Sequence, residues 1–297
     1  MTLALIVNPF AGGGRAARKL EGVQAALRGL GLEHHVERTT SLDHARELAT
    51  AAAAAGETAV AFGGDGLIGA VAGALRHRDG LLGVLPGGRG NDFARMLGIP
   101  ASPRAACEVL AHGEERRLDL GIVGEQTFIG IASCGFDSVA NRIANETTLV
   151  RGRLVYVYGL LRAITGWERA SFTVTIDGEA PRTVSGYTVA AANSRYYGGG
   201  MMLAPDATLQ DGMLDVVMIT QTPKLRFLTR APTVLTGAHV RLDNVEVLRA
   251  RSVQIAASRP FTLYADGDPI AELPVTVSVL PAAVRTLVPA ETHPEPA

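Results

Sequence analysis

The chain has 297 residues, a formal net charge of −1, 47% apolar residues and 34 glycines. That length gives a sizeable core in one large domain or two, and the near-neutral charge gives no reason to expect a nucleic-acid partner. No run of about 18 uncharged apolar residues occurs, so a transmembrane helix is not expected. The chain enters the strand-like run Leu3 to Val7 with no basic, signal-type segment before it, which fits a cytoplasmic protein. Cys107 and Cys134 stand alone in apolar surroundings without metal-ligand spacing, and read as buried free thiols.

Taken in order, Leu3 to Val7 reads as a buried strand, followed by the turn Asn8 to Gly14 and a helix to about Leu30. His34 to Arg38 is a short strand, and Ser41 is placed to cap an alanine-rich helix, Leu42 to Ala55. The run Thr58 to Phe62 then breaks into Gly63-Gly64-Asp65-Gly66 and a helical pattern through Leu75. A second apolar run, Leu81 to Leu85, ends in Pro86-Gly87-Gly88-Arg89-Gly90-Asn91-Asp92 and opens a helix at Phe93. Ser102-Pro103 starts a helix through Leu110 in the cap-then-proline arrangement. This alternation predicts a doubly wound, Rossmann-like parallel sheet over residues 1–115.

Two strand–glycine-turn–helix junctions so close together place two glycine turns and two carboxylates at one edge of a parallel sheet, where ligands of open α/β sheets bind. Glycines let backbone approach an anion, and free N–H groups with the helix dipole attract phosphate without a side chain. Asp65 and Asp92 would repel a bare polyphosphate, so they imply a magnesium ion or an acceptor hydroxyl between. Asn8-Pro9-Phe10-Ala11-Gly12, at the end of the first strand, adds a third such turn.

After Gly113 the pattern changes to short, β-branched strands: 116–123, 126–133, 171–176, 183–193, 214–219, 245–249, 252–257, 261–265 and 275–280. Helical patterns at Arg151 to Trp167 and Pro223 to Thr236 interrupt them, and Ser138 to Asn145 follows the turn Cys134-Gly135-Phe136-Asp137. A second, mostly antiparallel β domain is expected over 116–290, with the active site in the cleft between the domains and a frayed tail at 291–297. Asp137 reads equally as a helix cap or a site acid. The turn Gln210-Asp211-Gly212 offers oxygen ligands of the kind magnesium takes. Tyr264-Ala265-Asp266-Gly267-Asp268 follows an alternating strand and, on its own, is a hairpin turn.

These motifs, Gly63-Gly64-Asp65-Gly66, Leu85-Pro86 through Gly90-Asn91-Asp92-Phe93-Ala94-Arg95, and Asn8-Pro9, resemble the diacylglycerol kinase family. That family includes sphingosine and ceramide kinases and bacterial lipid kinases. The triple glycine Gly198-Gly199-Gly200, Ala204-Pro205-Asp206-Ala207 and Asp211-Gly212-Met213-Leu214-Asp215 are similar to its second-domain signature, so the likeness covers nearly the whole chain. The resemblance implies an ATP- and Mg²⁺-dependent kinase of phospholipid metabolism that phosphorylates a lipid primary hydroxyl, diacylglycerol first. Its substrate would be met peripherally, at the inner membrane surface, and a homodimer is allowed. It implies a nucleotide cradle of Asn8, Gly63, Gly64, Asp65, Gly66, Arg89, Gly90 and Asn91, catalytic magnesium on Asp65 and Asp92, and a structural magnesium on Asp211. The general base is Asp266 by likeness to bacterial members and Asp65 by likeness to sphingosine kinases; both stay open.

The pattern departs at Leu67, where many bacterial relatives have threonine, at Gly69 and Ala70, and at Arg89, where threonine or serine is usual. A guanidinium suits phosphate, so Arg89 is expected to touch the nucleotide. Arg151, Arg153, Arg162 and Arg169 could rest on an anionic bilayer, although packing of that helix on its own domain is the commoner use of such a pattern. Two rival functions remain, an NAD-kinase-like enzyme and a nucleotide-binding regulator without turnover.

Overall fold

A computed structural model describes residues 1–147 and 154–290. The chain forms two compact units, Met1–Leu120 with Pro281–Ala297, and Gly121–Leu280. The expected division at 115/116 had not assigned the last strand to the first unit. Arg151, Arg153 and the tail 291–297 lie outside the described residues.

In the first unit, β1 (Thr2–Val7), β2 (Glu33–Arg38), β3 (Thr58–Gly63) and β4 (Leu81–Pro86) run parallel in the order β4-β3-β1-β2. All six residues of β3 are buried, as expected of a central parallel strand covered on both faces. The helices α1 (Ala11–Gly29), α2 (Leu42–Ala54), α3 (Asp65–Leu75), α4 (Asp92–Met96) and α5 (Pro103–His112) alternate with these strands. Gly12, Gly13 and Gly14 have φ of +60°, +71° and +81°, so the regular part of α1 begins only at Arg15. Ser41 Oγ accepts from His44 N–H at 3.0 Å and caps α2, whereas Ser102 makes no such bond at α5.

The second unit takes over within β5 (Glu114–Val123). It contains β6 (Gln126–Phe128), β7 (Ile131–Gly135), α6 (Phe136–Glu146), α7 (Leu154–Gly166), β8 (Ala170–Ile176) and β9 (Arg182–Ala192). After β10 (Tyr196–Tyr197) and β11 (Met201–Met202) come β12 (Leu214–Thr220), α8 (Lys224–Arg230), β13 (Val245–Ala250) and β14 (Ser252–Ala257). A hairpin of β15 (Thr262–Ala265) and β16 (Asp268–Glu272) precedes β17 (Val275–Val288). Pairing is antiparallel throughout: β16-β15-β7-β9 on one side, and β9 again with β8 and β12. Beyond Leu280, β17 belongs to the first unit, where Arg285 and Thr286 pair in parallel with β4. The protein is thus an α/β chain with a parallel, Rossmann-like unit and an antiparallel β unit.

Three elements differ from expectation. The single strand 126–133 is two, β6 and β7, because Ile129 and Gly130 turn their N–H groups to a side chain rather than to a neighbouring strand. The helix 223–236 ends at Arg230 and continues as a 3₁₀ turn, Ala231–Leu235, with Pro232 in its first turn. Proline lacks the N–H an α-helix interior requires and crowds the carbonyl four residues back. The last strand runs eight residues past Leu280, to Val288.

Candidate functional site

The carboxyl ends of β1, β3 and β4 lie side by side, with Val7 opposite Phe62 and Gly63 opposite Pro86. The turn after each strand is tied to its neighbour. Asn8 N–H donates to Phe62 O at 3.3 Å, and Gly87 N–H donates to Gly63 O at 2.8 Å. A Cβ on Gly12 would stand 2.8 Å from Gly87 O, and one on Gly88 would collide with Gly64 Cα. Side-chain-free backbone is what allows these turns to touch.

Within this edge the polar side chains hold the turns in shape. Asn8 Oδ1 accepts from Phe10 N–H at 2.9 Å, and Asn91 Oδ1 accepts from Gly88 N–H at 2.8 Å. Asn91 itself has φ +54°, a left-handed value that asparagine tolerates better than most residues. Asp65 Oδ1 accepts from Phe93 N–H at 3.0 Å, so this carboxylate caps the first turn of α4 beside Asp92. Asp92 is buried and pairs with Arg95. Arg89 is exposed at the tip of its turn, while Arg15 Nε and Arg18 donate to the carbonyls of Gly12 and Gly13 at 3.1 and 3.2 Å. Thr39, which sequence reading passed over, belongs to the same edge: its N–H bonds Val7 O at 3.0 Å. Its signal is a threonine pair directly after a parallel strand.

The second unit holds the other two predicted acids. Asp266 and Gly267 are the two-residue turn between β15 and β16, with φ of +52° and +98°. Two positive φ values make a turn that suits the right-handed twist of a hairpin. The Asp266 carboxylate accepts from Ile129 N–H and from Gly130 N–H, each at 2.8 Å. A Cβ on Gly130 would collide with Asp266 Oδ1, so glycine is required where the carboxylate comes down on the backbone. One helix face away, Asn141 Nδ2 donates to Gly267 O at 3.2 Å and steadies the same turn. Sequence reading missed Ile129, Gly130 and Asn141; its only available signal was a glycine inside an apolar run, which marks a close approach.

Asp211 has both oxygens engaged, one by Met213 N–H at 3.0 Å and one by Arg249. An ion at that turn would compete with a guanidinium. Among the described residues no three histidine, cysteine, aspartate or glutamate side chains group to enclose a metal. Asp65 bonds the N–H of Phe93, the residue that follows Asp92, and magnesium that travels with a nucleotide needs only one or two carboxylates plus phosphate oxygens. The carboxylate type suits such an ion, although Asp92 is paired with Arg95, which an ion here would have to displace.

Electrostatics single out buried groups of the second unit. Burial pushes Asp137 up to about 6 against a 3.1 Å bond from Thr188 Oγ1, and among the described residues Asp137 Oδ2 lies out of solvent without a hydrogen-bond partner. Burial, with the charge of Asp137, raises Tyr197 well above the ordinary phenol range. Asp215 is also pushed up to about 6, by burial first, while Arg249 opposes the shift and Asp211 and Asp206 add to it. Cys107 and Cys134 are buried free thiols, Cys107 raised to about 11 by burial and Cys134 shifted in the same direction.

Residues 2–123 match the family model for the diacylglycerol kinase catalytic domain, and residues 130–288 match that for the YegS C-terminal NAD kinase beta sandwich-like domain. A diacylglycerol kinase of Mycobacterium tuberculosis is 36% identical over 293 residues, 96% of this chain and 94% of that one. A Pseudomonas fluorescens protein named "Probable lipid kinase YegS-like" is 32% identical over 286 residues, 92% of each chain. Among solved structures, a diacylglycerol kinase from Bacillus anthracis superposes with a TM-score of 0.74 at 20% identity, covering 97% of this chain and 96% of that one. An NAD kinase from Archaeoglobus fulgidus, solved with ATP, superposes at 0.52 with 14% identity, covering 98% and 92%. These two structures speak to the fold alone.

Proposed function

The chain belongs to the diacylglycerol kinase and YegS-like lipid kinase family, and on that premise we propose that it transfers phosphate from ATP to the primary hydroxyl of a lipid, diacylglycerol first, yielding phosphatidic acid. One observation carries this reading: three glycine turns meet at the carboxyl edge of β1, β3 and β4 with Asp65 and Asp92 beside them. Such an edge offers backbone to a polyphosphate and carboxylates to its cation, and transfer to an alcohol needs little more than positioning, charge neutralisation and a base.

In this scheme Asn8, Gly63, Gly64, Gly66, Gly90 and Asn91 shape the phosphate cradle, and the exposed Arg89 guanidinium closes on the phosphates from its turn. Magnesium bound with ATP would be held by Asp65 and Asp92, directly or through water, and would neutralise charge on the transferring group. Asp266 takes the proton of the acceptor hydroxyl, its carboxylate oriented by two backbone N–H groups. Asp65 is the alternative base; one of its oxygens holds Phe93 N–H, whereas both oxygens of Asp266 accept backbone N–H groups. The protein works peripherally at a membrane surface; no helix among the described residues is long and apolar enough to cross a bilayer.

The family description of residues 130–288 as NAD kinase beta sandwich-like suggests a second reading, in which a soluble dinucleotide is the acceptor. The test offers labelled ATP and Mg²⁺ with diacylglycerol, sphingosine and ceramide in mixed micelles, and with NAD in solution. Labelled phosphatidic acid is the expected product. Label in another lipid would keep the chemistry and change the acceptor, label only in NAD would favour the second reading, and ATP binding without any product would leave a regulator.

A further inference from the structure

Residues 223–242 carry Lys224, Arg226, Arg230 and Arg241 and no aspartate or glutamate, in a chain whose net charge is −1. The inner side of this segment is well anchored. Phe227 stacks on Tyr187 at 4.1 Å and meets Phe136 edge-on at 4.9 Å, Leu228 joins the same cluster, and Val234 packs on the apolar layer around Ala190 and Leu203. Among the described residues the outer side has no such cover. Leu225 is 75% exposed and Leu235 is 55% exposed. Thr229 and Pro232 are exposed as well, so 225, 229, 232 and 235 recur at helical spacing along one stripe.

Single exposed leucines are ordinary on a protein surface. Two on one stripe, with core-anchoring aromatics behind and an acid-free cationic run alongside, form the pattern of a helix that lies in a membrane interface. Arg226 and Arg230 bond Asp243 at 2.9 and 2.7 Å, which fixes the rotation of α8 and holds the leucine stripe outward. The segment stays net positive with Asp243 counted, and cations of this kind are drawn to anionic headgroups.

We infer that Leu225, Pro232 and Leu235, with Lys224 at the head of the stripe, are the docking face by which this protein lies on an anionic phospholipid bilayer. The inference rests on the lipid-acceptor reading for its purpose, but vesicle binding itself requires no catalysis. Co-sedimentation of the whole chain with phosphatidylcholine vesicles, with and without phosphatidylglycerol, tests it. Wild type is expected to bind the anionic vesicles, the double variant Leu225→Glu/Leu235→Glu about tenfold more weakly, and Lys224→Glu a few-fold more weakly at low salt only. On a short-chain, monomeric diacylglycerol all three are expected to turn over alike. If the double variant loses its thermal transition, Leu225→Ser/Leu235→Ser replaces it.

Equal binding by wild type and the leucine variant, or no binding by wild type to either vesicle, would overturn the inference. So would a concentration-dependent dimer that the leucine variant abolishes while vesicle binding stays unchanged; the face would then serve a second copy of this chain. Vesicle binding that depends on the leucines, with no lipid phosphorylated, would support the docking face and remove the kinase reading.

Discussion

The two units hold their acids in different ways. At the edge of the first unit, Asp65 bonds an N–H of the neighbouring turn, 28 residues away, and Asn91 one of its own turn, 3 residues away. In the second unit, Asp266 is gripped by Ile129 and Gly130, 137 and 136 residues away. The first arrangement is assembled by local turns of a parallel sheet and depends on backbone touching backbone. The second exists only because β15 pairs with β7 in the register that sets Tyr264 opposite Ser133 and Ala265 opposite Ala132. Each glycine turn is a property of a short stretch of chain, whereas this oriented carboxylate is a property of a completed sheet.

The largest expected effect separates the two acids. Asp266→Asn should lower kcat by roughly 10²–10⁴-fold, the usual range for losing a general base, with the KM for ATP nearly unchanged. Asp65→Asn should lower kcat and also raise the KM for ATP, because it removes the carboxylate charge offered to the nucleotide's cation while the amide Oδ1 still accepts from Phe93 N–H. Steady-state kinetics on both variants decides between the candidate bases: a wild-type-like kcat for Asp266→Asn would hand the role to Asp65.

Glycine-to-alanine changes sharpen the contrast. Gly88→Ala drives a methyl group into Gly64 Cα and should cost about 1–3 kcal/mol of stability, the range for overpacking against backbone. Gly130→Ala meets a side-chain oxygen instead, so the Asp266 carboxylate should swing away. Its thermal transition should move little while kcat falls toward that of Asp266→Asn. Denaturant unfolding and turnover, measured on the same preparations, would show whether backbone contact and carboxylate placement are separable.

A third test uses pH. The Asp137 carboxyl is raised by burial to about 6, so the folded state binds its proton more tightly than the unfolded state does. Stability is therefore unpenalised below the unfolded value, falls as pH rises from about 4 to 6, and remains reduced above. Asp137→Asn should recover on the order of 2–3 kcal/mol at pH 8 and almost nothing at pH 4. An equal change in midpoint at both pH values would disprove the penalty. The smallest expected effect belongs to Arg89→Ala, which should raise the KM for ATP by about 3–10-fold, as loss of one exposed charge-assisted phosphate contact does. If the KM and kcat were both unchanged, Arg89 would have no part in the cradle.

Much of the first unit could be read from residue order, because its signals are local. Six consecutive buried residues in β3, a glycine turn and a helical pattern follow one another within about twenty positions, and each restricts the next. The family likeness then gave the site residues their expected chemistry, including Asp266, which alone reads as a plain hairpin turn. Composition and spacing also determined the α/β character, the antiparallel second half and the burial of both cysteines.

Tertiary structure decided what depends on distant backbone. The split of 126–133 into two strands follows from Ile129 and Gly130 giving their N–H groups to Asp266. The return of β17 to the first unit follows from its pairing with β4, about 200 residues earlier. The engagement of Asp211 by Arg249, 38 residues on, likewise has no local signature. Local pattern fixes which turns form because neighbouring φ/ψ choices are coupled within a few residues. It is silent on which donor, a hundred residues away, a carboxylate will meet, since sheet register alone brings those groups within hydrogen-bonding distance.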